Sequence, residues 1–237
     1  MGDQTVTQYA FIFARGGSKG LPRKNCKNLL GTPLIVYSIE TALNVVNIDK
    51  VFVSTDDPEI AAIALAADAE VIGRPKHLAT DESPEWLSWQ HAINWVTSKY
   101  GEFEQFISLP ATSPLRSVQD VESAMEKLNR SSADICISTT PANRSPYFNM
   151  IKETATGNVE LVNTNSTSVF RRQDAPQVYD ITTVVYVAKP NYILKNNSLF
   201  DGQVTHITVP KERAIDIDDI YDFKLAEVIL SSKGQLC

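Results

Sequence analysis

The sequence predicts an α/β fold with a doubly wound, mostly parallel sheet. Short apolar runs of strand length alternate with longer amphipathic stretches along most of the chain. Two of these stretches open on Asp57-Pro58 and Ser83-Pro84, a pairing typical of a helix N-cap followed by proline. The 237 residues, 43% hydrophobic and 21% charged, suffice for one substantial domain.

The first part of the chain is predicted to alternate strands with helices. Apolar runs predict buried strands at 11–14, 51–54, 69–72, 105–109 and 135–138. One helical face is predicted after the first strand, at Leu34, Ile35, Ser38, Ile39, Ala42, Leu43 and Val46. Further helices are predicted after Asp57, after Ser83-Pro84 and over 117–128. Because no stretch between these elements has the composition of a linker, we expect them to share one sheet.

The pattern changes between residues 140 and 176. Thr156-Gly157-Asn158 lies between β-favouring runs and predicts a hairpin over 150–162 that projects from the sheet. Late strands at 183–188 and 206–209 and a helix over 221–230 complete the chain. We therefore predict one domain over residues 1–237, in which 141–180 is an inserted hairpin region.

Composition excludes several classes of protein. The formal net charge of −6 argues against general nucleic-acid binding, because the basic residues cluster locally. Cys26, Cys136 and Cys237 lack metal-ligand spacing, and this favours a reducing, cytoplasmic location. No apolar run reaches transmembrane length and no signal peptide is evident, so we expect no membrane partner.

The loop after the first strand is the most informative segment. It contains two adjacent glycines and four cations, Arg15, Lys19, Arg23 and Lys24. Glycine lets backbone N–H groups turn towards a ligand, and open α/β sheets bind ligands at the carboxyl ends of their strands. The segment is neither a Walker A loop nor a dinucleotide fingerprint. We predict a different cradle, suited to a triphosphate. The alternative is an ordinary solvated turn.

Asp216 and Asp218 flank Ile217 and would point to the same side of an extended segment. Two converging carboxylates suit Mg²⁺, which commonly binds one or two carboxylates together with phosphate oxygens. The alternative is that these residues and Asp219 only cap the helix that follows. Asp57 is predicted to be a cap as well, whereas Asp56 is a candidate to line a nucleotide pocket.

These segments resemble the acylneuraminate cytidylyltransferases, also called CMP-sialic acid synthetases. The loop fits the family form Ala-Arg-x-x-Ser-Lys-Gly-x-Pro-x-Lys-Asn at Ala14, Arg15, Ser18, Lys19, Gly20, Pro22, Lys24 and Asn25. Other matching blocks are 54–56, 74–75 with 80–81, 112–116 and 215–218. The resemblance implies a Rossmann-like nucleotidyltransferase fold. It also implies Mg²⁺-dependent transfer of CMP from CTP to the anomeric hydroxyl of a nine-carbon 2-keto-3-deoxy sugar acid, with release of pyrophosphate.

The resemblance also assigns nucleotide contacts. The nucleotide-binding set is Ala14, Arg15, Gly16, Gly17, Ser18, Lys19, Lys24, Asn25, Arg74, Thr80 and Asp81. The catalytic set is Arg15, Lys19, Lys24, Asp216 and Asp218, with the two aspartates as metal ligands. Arg74 is expected at the cytosine edge, with a surface arginine as the alternative. Arg23 falls where the family varies and is expected to be a solvated surface charge.

The sequence departs from the family at the sugar end. Pro110 and Ala111 follow Leu109 where the family has Gln-Pro, and Thr182-Thr183 replaces an Asn-Gly pair. Two basic positions are occupied by Phe148 and Asp180. The sugar-binding set that the resemblance implies is Arg172, Tyr179, Thr182, Thr183 and Thr112. The departures favour an acceptor other than N-acetylneuraminate, such as a legionaminate or a deaminated analogue.

The hairpin region implies a homodimer by the same resemblance, with Arg172 reaching the acceptor across the interface. Two alternatives remain at this point. One is a nucleotidyltransferase for an eight-carbon sugar acid or a sugar 1-phosphate. The other is a nucleotide-binding module without activity, although the intact cations and aspartates speak against it.

Overall fold

The chain folds around a seven-stranded sheet, and the computed structural model describes residues 7–17, 20–163 and 171–233, without the side chains of Arg172 and Lys233. The strands are β1 Gln8–Phe13, β2 Asn28–Leu29, β3 Thr32–Pro33, β4 Lys50–Thr55, β5 Glu70–Gly73, β6 Gln105–Ser108, β7 Ile135–Pro141, β8 Ile151–Glu153, β9 Val159–Leu161, β10 Tyr179–Ala188 and β11 Val204–Thr208. The α-helices are α1 Leu34–Leu43, α2 Pro58–Ala66, α3 Glu85–Tyr100, α4 Val118–Asn129, α5 Pro190–Lys195 and α6 Ile220–Lys233. Short 3-10 turns occur at Lys24–Cys26, Lys76–Leu78 and Arg172–Asp174.

The strand order in the main sheet is β11-β7-β10-β6-β1-β4-β5. Strands β4 and β6 pair with β1 in parallel, as do β5 with β4 and β11 with β7. Strand β10 is inserted antiparallel between β6 and β7. The predicted doubly wound, mostly parallel sheet is therefore confirmed.

Alternate residues of β1 face two separate cores, which explains why its sequence is apolar throughout. Ala10 and Ile12 pack with buried residues of α1, α2 and α4 on one side of the sheet. Phe11 packs with α3 and α5 on the other side. Its ring centroid lies 4.6 Å from that of Phe106 and 5.4 Å from that of Phe52. Helices therefore cover both faces of the central strand.

Two of the predicted helix starts are confirmed in detail. Asp57 Oδ1 accepts hydrogen bonds of 3.0 Å from the N–H groups of Glu59 and Ile60, and Pro58 is the first helical residue. Ser117 caps α4 in a capping box with Asp120. Both starts are set by local hydrogen bonds, which is why the sequence reveals them.

The predicted cap at Ser83 is wrong. Helix α3 begins at Glu85, its N-cap is the extended residue Pro84, and no side chain caps it. Ser83 lies one residue too early because proline itself occupies the capping position. Its hydroxyl oxygen is buried and has no hydrogen-bond partner among the described residues.

The predicted face of α1 is correct only up to Ala42. The helix ends at Leu43, which is half-exposed, and Val46 follows in a turn and is 88% exposed. Val45 is buried instead. The helix ends before Val46 because the chain turns towards β4. Val45 therefore reaches the core in place of Val46.

The predicted hairpin is present as β8 and β9, which form their own two-stranded antiparallel sheet. Gly157 in the turn has φ +79°, a conformation that favours glycine. Ile151 and Val159 are both 62% exposed. The hairpin is thus separate from the main sheet and presents apolar side chains to solvent.

The tryptophans of α3 pack in the second core. Trp86 and Trp89 are buried, and Trp95 packs against the same cluster. Within the described residues, Cys26 and Cys136 are free thiols, while Cys237 lies outside them. None of the helices in that part of the chain is both long and apolar enough to cross a bilayer.

Candidate active site

A cleft of about 340 Å³ opens at the carboxyl ends of the central strands. It brings together nine of the sequence-predicted residues, Arg15, Gly17, Lys24, Asn25, Arg74, Thr80, Asp81, Thr112 and Thr183. The described residues Ala14, Gly16, Tyr179, Thr182, Asp216 and Asp218 do not line this cleft directly. Ser18, Lys19 and the side chain of Arg172 lie outside the part of the structure that is described.

Carboxylates and amides hold the loop after β1 in place. Arg15 Nη1 lies 2.5 Å from Asp81 Oδ1, across the cleft. The Gly16 N–H donates to Asp56 Oδ1 at 3.1 Å, and Asn25 Nδ2 donates to the Arg15 carbonyl oxygen at 3.2 Å. Asp56 therefore supports the loop. It does not line the cleft, contrary to the prediction from the sequence.

The glycines act differently from the prediction. Neither Gly16 nor Gly17 has a positive φ. Gly16 is required because a Cβ there would clash with the carboxylate of Asp57. Gly20 is required in the same way, since its Cβ would clash with the backbone carbonyl of Asp218. The loop needs glycine for the close approach of other segments, not for a left-handed backbone.

Arg23 is exposed, as the sequence predicted, but its guanidinium is paired with two carboxylates. Its guanidinium lies 2.5 Å from Asp57 Oδ2 and also contacts Glu59. These two carboxylates raise the pKa of Arg23. Its backbone has φ +55°, so the left-handed position of the loop is occupied by an arginine. Arg23 links the loop to the start of α2.

The loop contacts the aspartate-rich segment through Lys24. Lys24 Nζ donates to the Ile217 carbonyl oxygen at 2.5 Å and lies 3.4 Å from Asp218 Oδ1. Ile217 is fully buried, and its N–H donates to the Thr112 carbonyl oxygen at 2.8 Å. The predicted phosphate loop, the segment after β6 and the predicted metal ligands therefore meet at one place.

Asp216 carries a carboxylate in an environment suited to a cation. Its Oδ1 is buried and has no hydrogen-bond partner among the described residues. Burial raises the pKa of Asp216, as does the charge of Asp218, while the hydroxyl groups of Thr112 and Thr183 oppose the shift. An unsatisfied buried carboxylate oxygen beside a second carboxylate fits a hard divalent cation.

Asp219 has the capping role that was the alternative for all three aspartates. Its Oδ1 accepts hydrogen bonds from the N–H groups of Tyr221 (2.7 Å) and Asp222 (3.1 Å) at the start of α6. Asp218, by contrast, directs a side chain that is 81% exposed towards solvent and Lys24. Neighbouring aspartates therefore differ in their surroundings.

Arg74 is buried, which excludes the surface-arginine alternative. Its Nη2 donates to the Ser54 carbonyl oxygen at 2.7 Å, and its Nε to Ser54 Oγ at 3.2 Å. The guanidinium carbon lies 5.6 Å from the centre of the Phe13 ring. Burial lowers the pKa of Arg74. The side chain is fixed on the cleft wall, with its orientation set by β4.

At the sugar end, the structure separates residues that the sequence had grouped. Thr112 and Thr183 line the cleft. Thr182 is buried, and its hydroxyl donates to Ser138 Oγ at 2.8 Å. Tyr179 lies elsewhere on β10, where its ring centroid is 5.2 Å from that of His206. The pairing of β10 with β7 shifts register between Thr182 and Tyr186, and this irregularity gives neighbouring threonines different surroundings.

Arg116 belongs to the matching block 112–116, but no role is predicted for it from the sequence. It is fully enclosed and donates to the carbonyl oxygens of Val184 (2.7 Å) and Thr183 (3.3 Å), to that of Pro110, and to Ser38 Oγ (2.6 Å). Burial lowers the pKa of Arg116 to about 9. One guanidinium thus joins the segment after β6 to the irregular part of β10.

Sequence reasoning also missed cleft residues on and before α3. Ser83, Glu85 and Ser88 line one wall, and Tyr186 of β10 is part of the same cleft. The available signal was their position just after the Thr80-Asp81 turn. Without the fold, nothing in the sequence distinguishes Glu85 from an ordinary acidic residue in the first turn of a helix.

Comparison with known proteins agrees with this geometry. A family model described as "Cytidylyltransferase" matches residues 9–229. The chain is 35% identical over 225 residues to the post-translational flagellin modification protein B of Campylobacter coli, covering 94% of each chain. It is 34% identical over 225 residues to the CMP-N,N'-diacetyllegionaminic acid synthase of Campylobacter jejuni, again covering 94% of each.

A solved structure shares the fold. The CMP:2-keto-3-deoxy-manno-octonic acid synthetase complexed with CTP superposes with a TM-score of 0.70 at 16% identity, covering 96% of this chain and 99% of that one. At this level of identity the likeness concerns the fold alone.

Proposed function

The chain belongs to the cytidylyltransferase family, and from this premise we propose that it transfers CMP from CTP to a nine-carbon sugar acid of the diacetyllegionaminate kind. The observation that carries the proposal is the contact of Lys24 with Ile217 and Asp218. It joins a cation-rich loop that lines the cleft to a pair of carboxylates. Nucleotidyl transfer needs both, because charge must be neutralised on a triphosphate while a nucleophile is positioned.

In the proposed reaction the anomeric hydroxyl oxygen of the acceptor attacks the α-phosphorus of CTP. A new phosphorus–oxygen bond forms, the bond to the β-phosphate oxygen breaks, and the hydroxyl proton is released. Arg15, Lys19 and Lys24 would neutralise the triphosphate, with backbone N–H groups of residues 16–19 as fixed donors. Asn25 and Arg74 would face the nucleoside, helped by the turn that contains Thr80 and Asp81.

Asp216 and Asp218 are the proposed ligands for Mg²⁺. The buried, unsatisfied Oδ1 of Asp216 is the observation that supports them. When bound, the ion would offset negative charge on the phosphate oxygens. The protein's own part is to hold the pair in place, which it does through the Lys24 contact and through the Ile217 N–H bond to Thr112.

The acceptor is proposed to bind at the end of the cleft formed by Thr112 and Thr183. The named substrate of the Campylobacter jejuni relative is the basis for choosing a diacetylated nine-carbon acid. The departures from the sialic acid pattern at residues 110–111 and 182–183 agree with an acceptor other than N-acetylneuraminate.

A homodimer is proposed from the exposed apolar side chains of the hairpin region. Ile151, Val159, Phe148 and Met150 are between 37% and 62% exposed. Exposed apolar groups concentrated on one element often mark an interface. In such a dimer Arg172 and Tyr179, which belong to the same inserted region, would serve the acceptor site of the partner subunit. A cytoplasmic location is proposed because the chain's cysteines suit a reducing compartment.

The test is pyrophosphate release from CTP with N,N'-diacetyllegionaminate, N-acetylneuraminate and an eight-carbon 2-keto-3-deoxy acid. ATP, GTP, UTP and dTTP serve as nucleotide controls, and each reaction is run with Mg²⁺ and with EDTA. We expect release only with CTP, Mg²⁺ and a nine-carbon acid, at the highest kcat/KM for the diacetylated one. A preference for the eight-carbon acid would contradict the proposed acceptor. CTP binding without release across the panel would indicate a nucleotide-binding module.

A further inference from the structure

We infer that Glu85 is a specificity-determining residue, whose carboxylate accepts a hydrogen bond from an acylamino N–H group of the acceptor sugar. This inference rests on the proposed function. It adds a residue that belongs to none of the matching sequence blocks and that is not needed for nucleotide or metal binding.

Glu85 is placed on the cleft wall by the start of α3. It is the first residue of that helix, and Ser88, one turn later, lines the same cleft. Trp89, on the next position of this face, is buried beneath them and packs against Tyr186 with ring centroids 5.6 Å apart. The helix is therefore anchored in the aromatic core, and Glu85 is presented from a rigid element.

Glu85 lines the cleft together with Thr183 and Tyr186 of β10, the strand that forms the wall assigned above to the acceptor. Its charge raises the pKa of Tyr186, after burial and ahead of the effect of Asp216. The charged groups that act on Glu85 itself are Arg74, on the wall assigned to the nucleoside, and Asp216.

No described cation forms an ion pair with Glu85. Arg74, the nearest candidate, directs its Nε and Nη2 hydrogen bonds to Ser54, while Arg15 pairs with Asp81. Glu85 is exposed to solvent through the cleft. Burial of its carboxyl group by the surrounding residues nevertheless raises its pKa, and so does the negative charge of Asp216. Trp89 and Arg74 lower the pKa of Glu85, but they offset only part of this rise.

A carboxylate in this position would weaken binding of two anionic substrates unless a substrate donates a hydrogen bond to it. An acylamino N–H is a donor without lone pairs to repel the carboxylate, and N–H groups bonded to charged acceptors form short, strong contacts. The diacetylated acid named for the relative carries two such groups. A site built around this contact discriminates against acceptors that lack it.

The experiment compares Glu85→Gln and Glu85→Ala with the wild type. Each is assayed with a diacetylated nine-carbon acid and with the deoxy analogue that has hydrogen atoms in place of both acylamino groups, because a hydroxyl group would also donate to the carboxylate. Glu82→Gln is the matched control, because Glu82 is exposed, lies three residues earlier and does not line the cleft. Glu85→Gln keeps the shape of the side chain, so it reports on the site even if the alanine variant folds poorly.

We expect Glu85→Gln to raise the KM of the diacetylated acceptor about tenfold, about 1.4 kcal/mol, with the KM of CTP within twofold of wild type. The loss in kcat/KM should be clearly smaller for the deoxy analogue, and Glu82→Gln should match the wild type. Equal losses with both acceptors would overturn the inference. So would a raised KM for CTP, or a loss confined to kcat with a shifted pH profile, which would indicate a nucleoside contact or a proton acceptor.

The same data separate this inference from the proposed function. If the wild type releases pyrophosphate with neither nine-carbon acid, the proposed function fails and the role of Glu85 fails with it. If the wild type is active and the acceptor preference of the Glu85 variants is unchanged, only the role of Glu85 is contradicted.

Discussion

Lys24 donates a 2.5 Å hydrogen bond to the carbonyl oxygen of Ile217, a residue 193 positions later in the chain. The ammonium group lies between this carbonyl and the carboxylate of Asp218, and its side chain is only 12% exposed. This contact fixes the distance between the cation loop and the aspartate pair. Residues of the cation loop and of the aspartate pair can therefore be replaced one at a time to test their roles.

Asp218→Ala should abolish turnover while leaving the fold intact. Asp218 is 81% exposed, so its removal exposes no core, but it takes away one of two proposed metal ligands. Pyrophosphate release would be measured against Mg²⁺ concentration, together with the midpoint of thermal unfolding.

Asp219→Ala is the matched control for that variant. It removes the cap of α6 and should cost about 1 kcal/mol of stability with activity retained at low temperature. Wild-type activity of Asp218→Ala at limiting Mg²⁺ would refute the metal assignment.

Arg15→Ala should weaken CTP binding by about 1.5–3 kcal/mol, the range for a hydrogen bond to a charged group. Arg15 lines the cleft and is held there by Asp81, so its loss removes a positioned cation. Titration calorimetry with CTP measures the effect. Lys76→Ala removes an exposed cation outside the cleft and should leave the affinity unchanged. Equal affinities for both variants would argue against the triphosphate cradle.

Arg116→Met should destabilise the protein by roughly 2–4 kcal/mol, because several buried carbonyl oxygens lose their donor. Denaturant unfolding measures this change. Arg116→Lys should be nearly as harmful, since an ammonium cannot reproduce the fork of the guanidinium. A lysine variant as stable as wild type would show that charge alone, and not the planar fork, holds the two segments together.

Arg213 donates hydrogen bonds of 2.8 Å to both carboxylate oxygens of the buried Asp120, and this pair should make stability depend on pH. Burial raises the pKa of Asp120, but the hydrogen bonds from Arg213 and Ser117 lower it by more. The pKa of Asp120 therefore lies below its ordinary value. The folded state therefore binds its proton less readily than the unfolded state. The stabilisation is complete above the unfolded pKa of about 4 and is lost as the pH falls below it.

Asp120→Asn should accordingly be about 2–3 kcal/mol less stable than wild type at pH 7, with a gap that narrows towards pH 3. Unfolding by urea across this pH range measures the gap. Glu122→Gln, on the same helix, serves as the control for the loss of one charge. A gap that stays constant down to pH 3 would mean that the pair does not titrate as described.

Replacing both Ile151 and Val159 by lysine should convert the proposed dimer to a monomer. The two side chains are 62% exposed and lie on a hairpin apart from the main sheet, so the change leaves the core untouched. Light scattering gives the mass in solution, and CTP affinity should be unchanged because neither residue lines the nucleotide cleft. A variant that remains dimeric would locate the interface elsewhere.

The sequence predicted the elements whose signals are local. The caps at Asp57 and Ser117 and the turn at Gly157 depend on neighbouring residues, and each is present. The predicted cap at Ser83 was wrong because the next residue, Pro84, occupies the N-cap position of α3. The predicted fold class followed from the alternation of elements, and the family from the order of the matching blocks.

Features that depend on distant segments could not be predicted. Gly16 is needed because of Asp57, which approaches from the end of another strand. Arg23 pairs with Asp57 and Glu59 across a separation of more than thirty residues. Glu85 becomes a cleft residue only through the packing of α3 on the sheet. Such relationships arise from tertiary structure, so a pattern along the chain does not contain them.

The register shift in β10 affects which substitutions the proposed acceptor wall can accept. Between Thr182 and Tyr186 the strand leaves its ladder with β7, and side chains of Ser138 and Arg116 satisfy its backbone instead. Thr183 faces the cleft from this stretch. A substitution there disturbs no ladder hydrogen bond with β7, but Thr183 Oγ1 lies 2.6 Å from Ser113 Oγ and the hydroxyl group also acts on Asp216. The acceptor wall can therefore vary at this position without any change in the sheet, provided that the new side chain preserves or replaces these two contacts.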